Sequence, residues 1–173
     1  MNVSRKLAFL LRHSQDPLYI SPDGGWAKVS EITKALNISR AQLDEIVATD
    51  KKGRYMYDEY KQRIRACQGH SIPGVQVEME QPEPPEYLFH GTATRFLDTI
   101  MREGLRPMSR QWVHLSKDYE TAVSVGSRHG APSVLRVNAR QMVADGYQLY
   151  RSLNGVWQIK EVPAQYLEIY SKA

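Results

Sequence analysis

Cysteine is almost missing from this chain, since Cys67 is the only one among 173 residues. One cysteine cannot close an intramolecular disulfide, and it cannot build a metal site from several thiolates. Long apolar runs are missing too, so no segment reaches the length that spans a bilayer, and no secretory leader pattern follows the charged N-terminus. We therefore expect a cytoplasmic protein with no membrane partner and no bound metal. We also expect a monomer.

The rest of the composition is typical of a folded protein, with 42% hydrophobic and 24% charged residues. This is too apolar for a disordered chain, and it is enough for one sizeable core or two small ones. The formal net charge of +4 at pH 7 suits an anionic partner. A basic globular protein with another task has the same excess, so charge alone does not decide the function.

The most distinct boundary is the segment 79–86, which reads MEQPEPPE. Pro82, Pro84 and Pro85 forbid a helix there, and the acidic residues keep the segment solvated. We interpret it as a linker between an N-terminal lobe, residues 1–78, and a C-terminal lobe, residues 87–173.

The N-terminal lobe shows three helical segments and a hairpin. Apolar residues recur at helical spacing over about the first twelve residues, so Arg12 and His13 fall at the end of that helix. Two more helices are expected to begin at Ser30 and Ser39, whose hydroxyls can cap them. The predicted strands are residues 26–29, 54–57 and 64–66. Three helices with a hairpin indicate a winged-helix-like lobe.

The C-terminal lobe alternates short strands with a few helices. Its predicted strands are 87–89, which runs into His90-Gly91-Thr92, then 113–115, 134–137 and 156–162. The first predicted helix carries Phe96, Leu97, Ile100 and Met101 and closes at Gly104. The second covers 118–125, and Arg128-His129-Gly130 follows at its C-terminal end. This pattern predicts an α+β lobe built on a split sheet.

Three basic clusters stand far apart in the sequence: Arg12-His13, Arg65 with His70, and Arg128-His129. Arginine suits a phosphate because its planar fork gives two parallel charge-assisted hydrogen bonds. Converging arginines would also neutralise the charge that builds up during phosphoryl transfer. Surface arginines are common, however, and spacing alone leaves open whether these clusters meet.

Two further motifs, His90-Gly91-Thr92 and His114-Leu115-Ser116, stand at predicted strand ends. They offer side-chain donors, hydroxyl groups and, at the glycine, a closely approachable backbone. Such groups could grip a ribose and a carboxamide, although ordinary polar loops have the same composition.

The chain resembles the RNA 2′-phosphotransferases of the tRNA 2′-phosphotransferase or KptA type. The resemblance spans nearly the whole chain, and it rests on seven motifs in order: Leu10-Leu11-Arg12-His13, Gly25-Trp26-Ala27, Ile64-Arg65-Ala66-Cys67-Gln68-Gly69-His70-Ser71, Tyr87-Leu88-Phe89-His90-Gly91-Thr92, Val113-His114-Leu115-Ser116, Val125-Gly126-Ser127-Arg128-His129-Gly130 and Asn154-Gly155-Val156-Trp157. Any one motif is weak, but seven at compatible spacing are specific.

The resemblance implies a winged-helix-like lobe followed by an ADP-ribosyltransferase-like lobe that binds NAD⁺. It implies a catalytic group formed by Arg12, His13, Arg65 and Arg128. It also implies that NAD⁺ is held by six residues, namely His90, Gly91, Thr92, His114, Leu115 and Ser116.

The reaction that the resemblance implies consumes NAD⁺ in two steps and acts on an internal 2′-phosphate of tRNA-like RNA, as in tRNA splicing. The 2′-phosphate is first ADP-ribosylated with release of nicotinamide. A ribose hydroxyl then attacks the phosphorus, which gives 2′-hydroxyl RNA and ADP-ribose 1″,2″-cyclic phosphate. We assign Arg65 and Arg128 to the phosphorus oxygens, Arg12 to phosphate capture and His13 to proton transfer.

Two alternatives stay open at this point. A nucleic-acid-binding module without catalysis would use the winged-helix-like lobe but would leave His90-Gly91-Thr92 unexplained. An ADP-ribosyltransferase that stops after the first step would share the NAD⁺ pocket without requiring three arginines at the phosphorus. Trp26 and Trp157 could stack on a base or on nicotinamide, although large aromatic residues more often belong to a core.

Overall fold

The computed structural model describes residues 2–14, 16 and 18–173. These residues form two compact units. The first runs up to Glu78 and includes Ser152–Asn154, and the second comprises Met79–Arg151 and Gly155–Ala173. Helices and antiparallel sheets occur in both, which confirms the α+β class. That the units are a winged-helix-like lobe and an ADP-ribosyltransferase-like lobe stays a prediction.

The first unit consists of three helices and a three-stranded sheet. Its elements are α1 (Val3–His13), β1 (Ala27–Lys28), α2 (Val29–Leu36), α3 (Arg40–Thr49), β2 (Tyr55–Tyr57) and β3 (Arg63–Ala66). The sheet order is β1-β3-β2, with antiparallel neighbours, so β3 is its central strand. This central position is what holds Arg65 still.

The helix starts of this unit follow from local side-chain chemistry. Asn2 accepts a 2.8 Å bond from the Arg5 amide, and Ser39 forms a capping box with Gln42. The expected start at Ser30 is wrong, because α2 begins at Val29 and follows β1 without a break. The Val29 amide bonds the Gln62 carbonyl at 2.9 Å instead of an N-cap side chain.

The apolar faces of α1, α2 and α3 pack against the sheet of the first unit. The fully buried side chains of this core are Leu7, Leu11, Ile32, Leu43 and Ile64. Asn154 belongs to the same unit because its amide donates to the Lys52 carbonyl at 3.3 Å. Because Leu7 and Leu11 anchor α1 from one side, the last turn of that helix is fixed in place.

The second unit contains seven strands, three helices and three short 3₁₀ turns. They are β4 (Met79–Glu80), β5 (Leu88–Ala93), a turn (Thr94–Phe96), α4 (Leu97–Glu103), β6 (Val113–Leu115), α5 (Tyr119–Gly126), a turn (Ser127–His129), β7 (Pro132–Val137), α6 (Ala139–Ala144), β8 (Tyr150–Ser152), β9 (Trp157–Ile159), a turn (Ala164–Tyr166) and β10 (Leu167–Ser171). Strand β8 is shared with the Ser152–Asn154 segment of the first unit.

These strands form two sheets, with the orders β10-β7-β5 and β4-β8-β9-β6. An antiparallel bridge between Phe89 and Ser116 links them, with amide-to-carbonyl distances of 2.7 and 2.8 Å. Their shared core contains the fully buried Leu88, Leu115 and Met142. The bridge places the end of β6 beside β5, and both candidate NAD⁺ motifs lie there.

Several elements of the second unit differ from the sequence prediction. The strand expected over 156–162 is confined to β9, because Val162 pairs with Leu105 beyond it. Arg128 lies in a separate 3₁₀ turn rather than in α5 itself. The segment read as a linker begins with β4, and Glu80 on that strand pairs with Arg151 at 2.8 Å.

Across the described part of the chain, every helix is too short or too polar to cross a membrane.

Candidate active site

The last turn of α1 carries Arg12 and His13. Arg12 is 7% exposed, so its guanidinium is held inside the first unit. Ser71 fixes both residues: its amide donates to the Arg12 carbonyl at 2.9 Å, and its hydroxyl lies 2.7 Å from His13 Nδ1. No role for Ser71 follows from the motifs, whereas in the structure its side chain orients the His13 ring.

Arg65 lies on the central strand β3 and is 5% exposed. Its guanidinium stacks on the Trp26 ring, 4.2 Å from the centroid, and its Nη1 bonds Glu78 Oε2 at 2.6 Å and the Gly24 carbonyl at 3.3 Å. Among the residues that the structure describes, its Nη2 contacts only the weak sulfur acceptor of Met56, at 3.6 Å. Nε is buried without a hydrogen-bond partner among the described residues, so the Nε–Nη2 edge lacks an oxygen acceptor.

Two glycines let this cluster pack tightly. Gly24 and Gly25 have φ values of +89° and +69°, which residues with a side chain rarely adopt. A Cβ at Gly24 would lie 2.7 Å from the Trp26 ring, and one at Gly25 would lie 2.9 Å from His70 Nε2. The turn therefore depends on glycine for its backbone and for the space that Trp26 and His70 fill.

His70 shows which basic side chains of the first unit lie near one another. It is 5% exposed, and burial together with the charges of Arg12, His13 and Arg65 lowers its pKa to about 4. A buried imidazole with that environment stays neutral at pH 7. The structure thus gathers three of the four predicted catalytic residues around His70, within one unit.

The second unit brings the two candidate NAD⁺ motifs together. His90 Nδ1 lies 2.9 Å from the His114 carbonyl, so Nδ1 carries the proton and Nε2 keeps its lone pair. Burial lowers the pKa of His90, although the bond to His114 opposes that shift. Neutral His90 therefore offers a hydrogen-bond acceptor at Nε2, beside Ser116 at the end of β6.

His114 has the opposite tautomer. Its Nδ1 accepts a 3.2 Å bond from Arg110 Nη1, which assigns the proton of a neutral ring to Nε2. Burial and the charge of Arg128 both lower the pKa of Arg110. Arg110 and Arg128 are therefore neighbouring cations of the second unit. No motif of the sequence reasoning included Arg110, although it stands four residues before His114.

A glycine is needed at position 91 for a different reason from the one expected. A Cβ at this position would lie 1.6 Å from the Ala122 carbonyl and 2.8 Å from the Gly126 amide, both in α5. Glycine is thus required for β5 and α5 to approach each other, whatever binds nearby. Thr92 is buried beside it.

The remaining predicted residues differ in whether they are buried or exposed. Leu115 is a core residue of the second unit, so it can only support the neighbouring polar groups. Arg128 is exposed, and the adjacent His129 carbonyl accepts a 2.5 Å bond from Arg95 Nη1. Trp157 is buried in the second core and Trp26 supports Arg65, so neither is an exposed stacking surface.

Comparison with known proteins gives consistent matches. A family model described as RNA 2′-phosphotransferase, Tpt1 / KptA family, matches residues 1–161. A protein of Agrobacterium fabrum is 49% identical over 174 residues, which cover 96% of this chain and 92% of that protein. Proteins of Acaryochloris marina and Flavobacterium johnsoniae are 48% and 47% identical, over 95% and 98% of this chain and 93% and 96% of their own lengths. All three relatives bear the name "Probable RNA 2′-phosphotransferase".

Proposed function

Because this chain belongs to the RNA 2′-phosphotransferase, Tpt1 / KptA, family, we propose that it removes an internal 2′-phosphate from RNA and uses NAD⁺ as the acceptor of the phosphoryl group. The observation that carries the proposal is the grouping of Arg12, His13 and Arg65 around buried, neutral His70 in the first unit. Three basic side chains beside a neutral imidazole are suited to a phosphate dianion.

Arg65 receives the phosphate through its Nε–Nη2 edge. The opposite side of its guanidinium is occupied by Glu78 and Gly24, and Trp26 holds its plane. A bidentate pair of bonds to two phosphate oxygens would satisfy the edge that lacks an oxygen acceptor. Arg12, whose charge acts on His70 together with that of Arg65, adds a second charge for the phosphate. A role for Arg128 at the phosphate is implied by the family resemblance alone.

His13 moves the proton in the step at phosphorus. Its Nδ1 is held by the Ser71 hydroxyl, so we assign proton transfer to Nε2. A hydroxyl can both donate and accept, so the bond persists when the ring gains or loses its proton. The phosphate itself needs no base to become a nucleophile, because it is already ionised near neutral pH.

The side chains of the second unit fit a dinucleotide. His90 Nε2 is an acceptor for a ribose hydroxyl, and His114 Nε2 is a donor for an oxygen. Arg110 and Arg128 together suit the negative charge of a pyrophosphate, since two adjacent cations repel unless an anion joins them. NAD⁺ would supply the ribose that accepts the phosphoryl group, with nicotinamide as the leaving group.

The test is an incubation of the purified protein with a short RNA that carries one internal 2′-phosphate. With NAD⁺ present we expect 2′-hydroxyl RNA, nicotinamide and ADP-ribose 1″,2″-cyclic phosphate, each measured by mass spectrometry. Arg12→Ala should abolish the conversion. Arg40→Ala is the matched control, because Arg40 is an exposed arginine of α3 that pairs with Asp44.

Three other outcomes contradict the proposal in different ways. Release of inorganic phosphate without NAD⁺ would indicate a phosphatase. RNA binding without any consumption of NAD⁺ would indicate a binding module. Nicotinamide release with the phosphate still on the RNA would indicate a transferase that stops at ADP-ribosylation.

A further inference from the structure

The exposed face of α1 carries an aromatic side chain that the proposed reaction does not use. Phe9 is 54% exposed, although it stands on a helix whose other apolar residues are mostly buried. It borders a shallow hollow on the first unit, which is lined by Lys6, Phe9, Leu10, Ala35 and Leu36. The contact of an exposed phenylalanine ring with water is unfavourable, so covering the ring with a flat apolar group lowers the free energy.

Phe9 is also tied to the candidate active site. It precedes His13 by one helical turn, and the two ring centroids are 5.7 Å apart with planes inclined by 53°. A group that covers the Phe9 ring therefore lies next to the His13 imidazole. The position fits a group that belongs to the same molecule as the phosphate.

The charges of α1 indicate what kind of molecule this is. The helix sequence VSRKLAFLLRH contains three cationic residues and a histidine but no carboxylate. Arg5 and Lys6 are exposed, and Lys6 borders the hollow at Phe9. Cations next to an open aromatic ring favour a polyanion with flat faces, which describes single-stranded RNA.

We propose that Phe9 is a base-stacking platform that holds a nucleobase flanking the 2′-phosphorylated nucleotide and thereby sets which phosphate reaches His13. This inference rests on the proposed function. Phe9 touches the RNA but none of the reacting atoms, so it determines binding and register rather than the chemical step. Lys6 contributes a phosphate contact on the same strand of RNA.

The first experiment compares KM and kcat for a 2′-phosphorylated RNA oligonucleotide. Phe9→Ala should raise KM about 5- to 150-fold, because a stacked base contributes about 1–3 kcal/mol, while kcat changes little. Phe9→Tyr and Phe9→Trp should keep KM near the wild-type value because both retain a ring. Tyr60→Ala is the control, since Tyr60 is 77% exposed on the same unit but lies in the turn between β2 and β3.

The second experiment changes the RNA instead. Replacing the flanking bases by abasic sites should raise KM for the wild type and leave KM of Phe9→Ala almost unchanged, because the variant has no stack to lose. A 2-aminopurine at a flanking position should be quenched by the wild type and by Phe9→Trp but not by Phe9→Ala. A rise in KM that is equal for both proteins, or quenching that survives in Phe9→Ala, overturns the inference.

The two proposals fail in different ways. If the wild type converts no 2′-phosphorylated RNA with NAD⁺, the proposed function fails, and 2-aminopurine quenching without NAD⁺ still tests Phe9. If the wild type is active and Phe9→Ala has the KM of Tyr60→Ala, the stacking role fails while the function stands.

Discussion

Ser71 and His13 stand 58 residues apart in the sequence, yet the Ser71 hydroxyl lies 2.7 Å from His13 Nδ1. The same serine donates its backbone amide to the Arg12 carbonyl, so the end of α1 is fixed by two bonds from one residue. The hydroxyl can serve as donor to a neutral ring and as acceptor from a protonated one. Ser71 is therefore a positioning residue for proton transfer by His13.

We predict that Ser71→Ala lowers kcat for the 2′-phosphorylated RNA about 3- to 10-fold, since a hydrogen bond of this kind contributes about 0.5–1.5 kcal/mol. KM should change little, because Ser71 does not touch the substrate. Ser71→Thr restores a hydroxyl and should recover most of the rate. Equal losses in both variants would point to a packing defect.

The geometry of Arg65 leads to a second prediction. Lysine keeps the charge but cannot present the Nε–Nη2 edge, so Arg65→Lys should lower kcat/KM about 10- to 100-fold, which corresponds to the loss of a charge-assisted bond pair. Arg63→Lys is the matched control. Arg63 also lies over the Trp26 ring, at 5.1 Å, but it is exposed and pairs with Asp58. Steady-state kinetics with RNA at saturating NAD⁺ decides the matter, and a similar loss in both variants would remove the special role of Arg65.

The sequence predicted the elements that carry Arg12, His13 and Arg65, because a helix end and a short strand depend on a local pattern. Arg12 and His13 follow the helical spacing of Leu7 and Leu11, which the core of the first unit confirms. Ser71 could not be found in this way. Its role depends on a turn after β3 returning to the end of α1, and local periodicity carries no information about that long-range contact.

Arg110 supports a third prediction, which concerns NAD⁺. It bonds His114 at 3.2 Å and neighbours Arg128, so we expect Arg110→Gln to weaken NAD⁺ binding about 10-fold or more. Isothermal titration without RNA measures this directly. Arg106→Gln removes an exposed arginine from the same segment and should leave the affinity unchanged. Wild-type affinity in Arg110→Gln would show that its cation serves another ligand or only the fold.

A fourth prediction distinguishes a structural role of Gly91 from a role in binding NAD⁺. We predict that Gly91→Ala destabilises the second unit by about 3 kcal/mol or more, since its Cβ would lie 1.6 Å from the backbone carbonyl of Ala122. Gly74→Ala is the comparison, because Gly74 has a φ of +81° but open space around its Cβ position, and it should cost only about 1–2 kcal/mol. Urea unfolding measures both. A stably folded Gly91→Ala protein that merely fails to bind NAD⁺ would contradict this account.

The motif around Gly91 predicted where the site lies, but it did not predict why a glycine is needed there. His90 and His114 were predicted to share a site, and the bridge between Phe89 and Ser116 shows how the chain brings these motifs together. The close approach of Gly91 to Ala122 depends on how α5 crosses β5. That crossing is set by side-chain packing across the unit, which spacing along one strand does not encode.

His70 gives the chain a stability that depends on pH. Its pKa is lowered to about 4 in the folded protein, against about 6.5 when unfolded, so the unfolded state binds more protons between those values. The free energy of unfolding should therefore fall as the pH drops from 6.5 toward 4, by about 2 kcal/mol at pH 5 relative to pH 7. Burial also lowers the pKa of His90, which adds to the effect in the same direction.

The pKa values of the Asp50 and Glu78 carboxyl groups are lowered in the folded protein, so the stability that they contribute is lost mainly at more acidic pH. The interval from pH 7 to pH 5 therefore reports the contribution of the histidines. Urea unfolding of wild type and His70→Asn over that interval is the measurement. His70→Asn cannot take up the proton, so its stability should change much less with pH, whatever its absolute value. Parallel curves for the two proteins would mean that His70 accepts a proton in the folded state, and its burial beside Arg12 and Arg65 would then not lower its pKa as described.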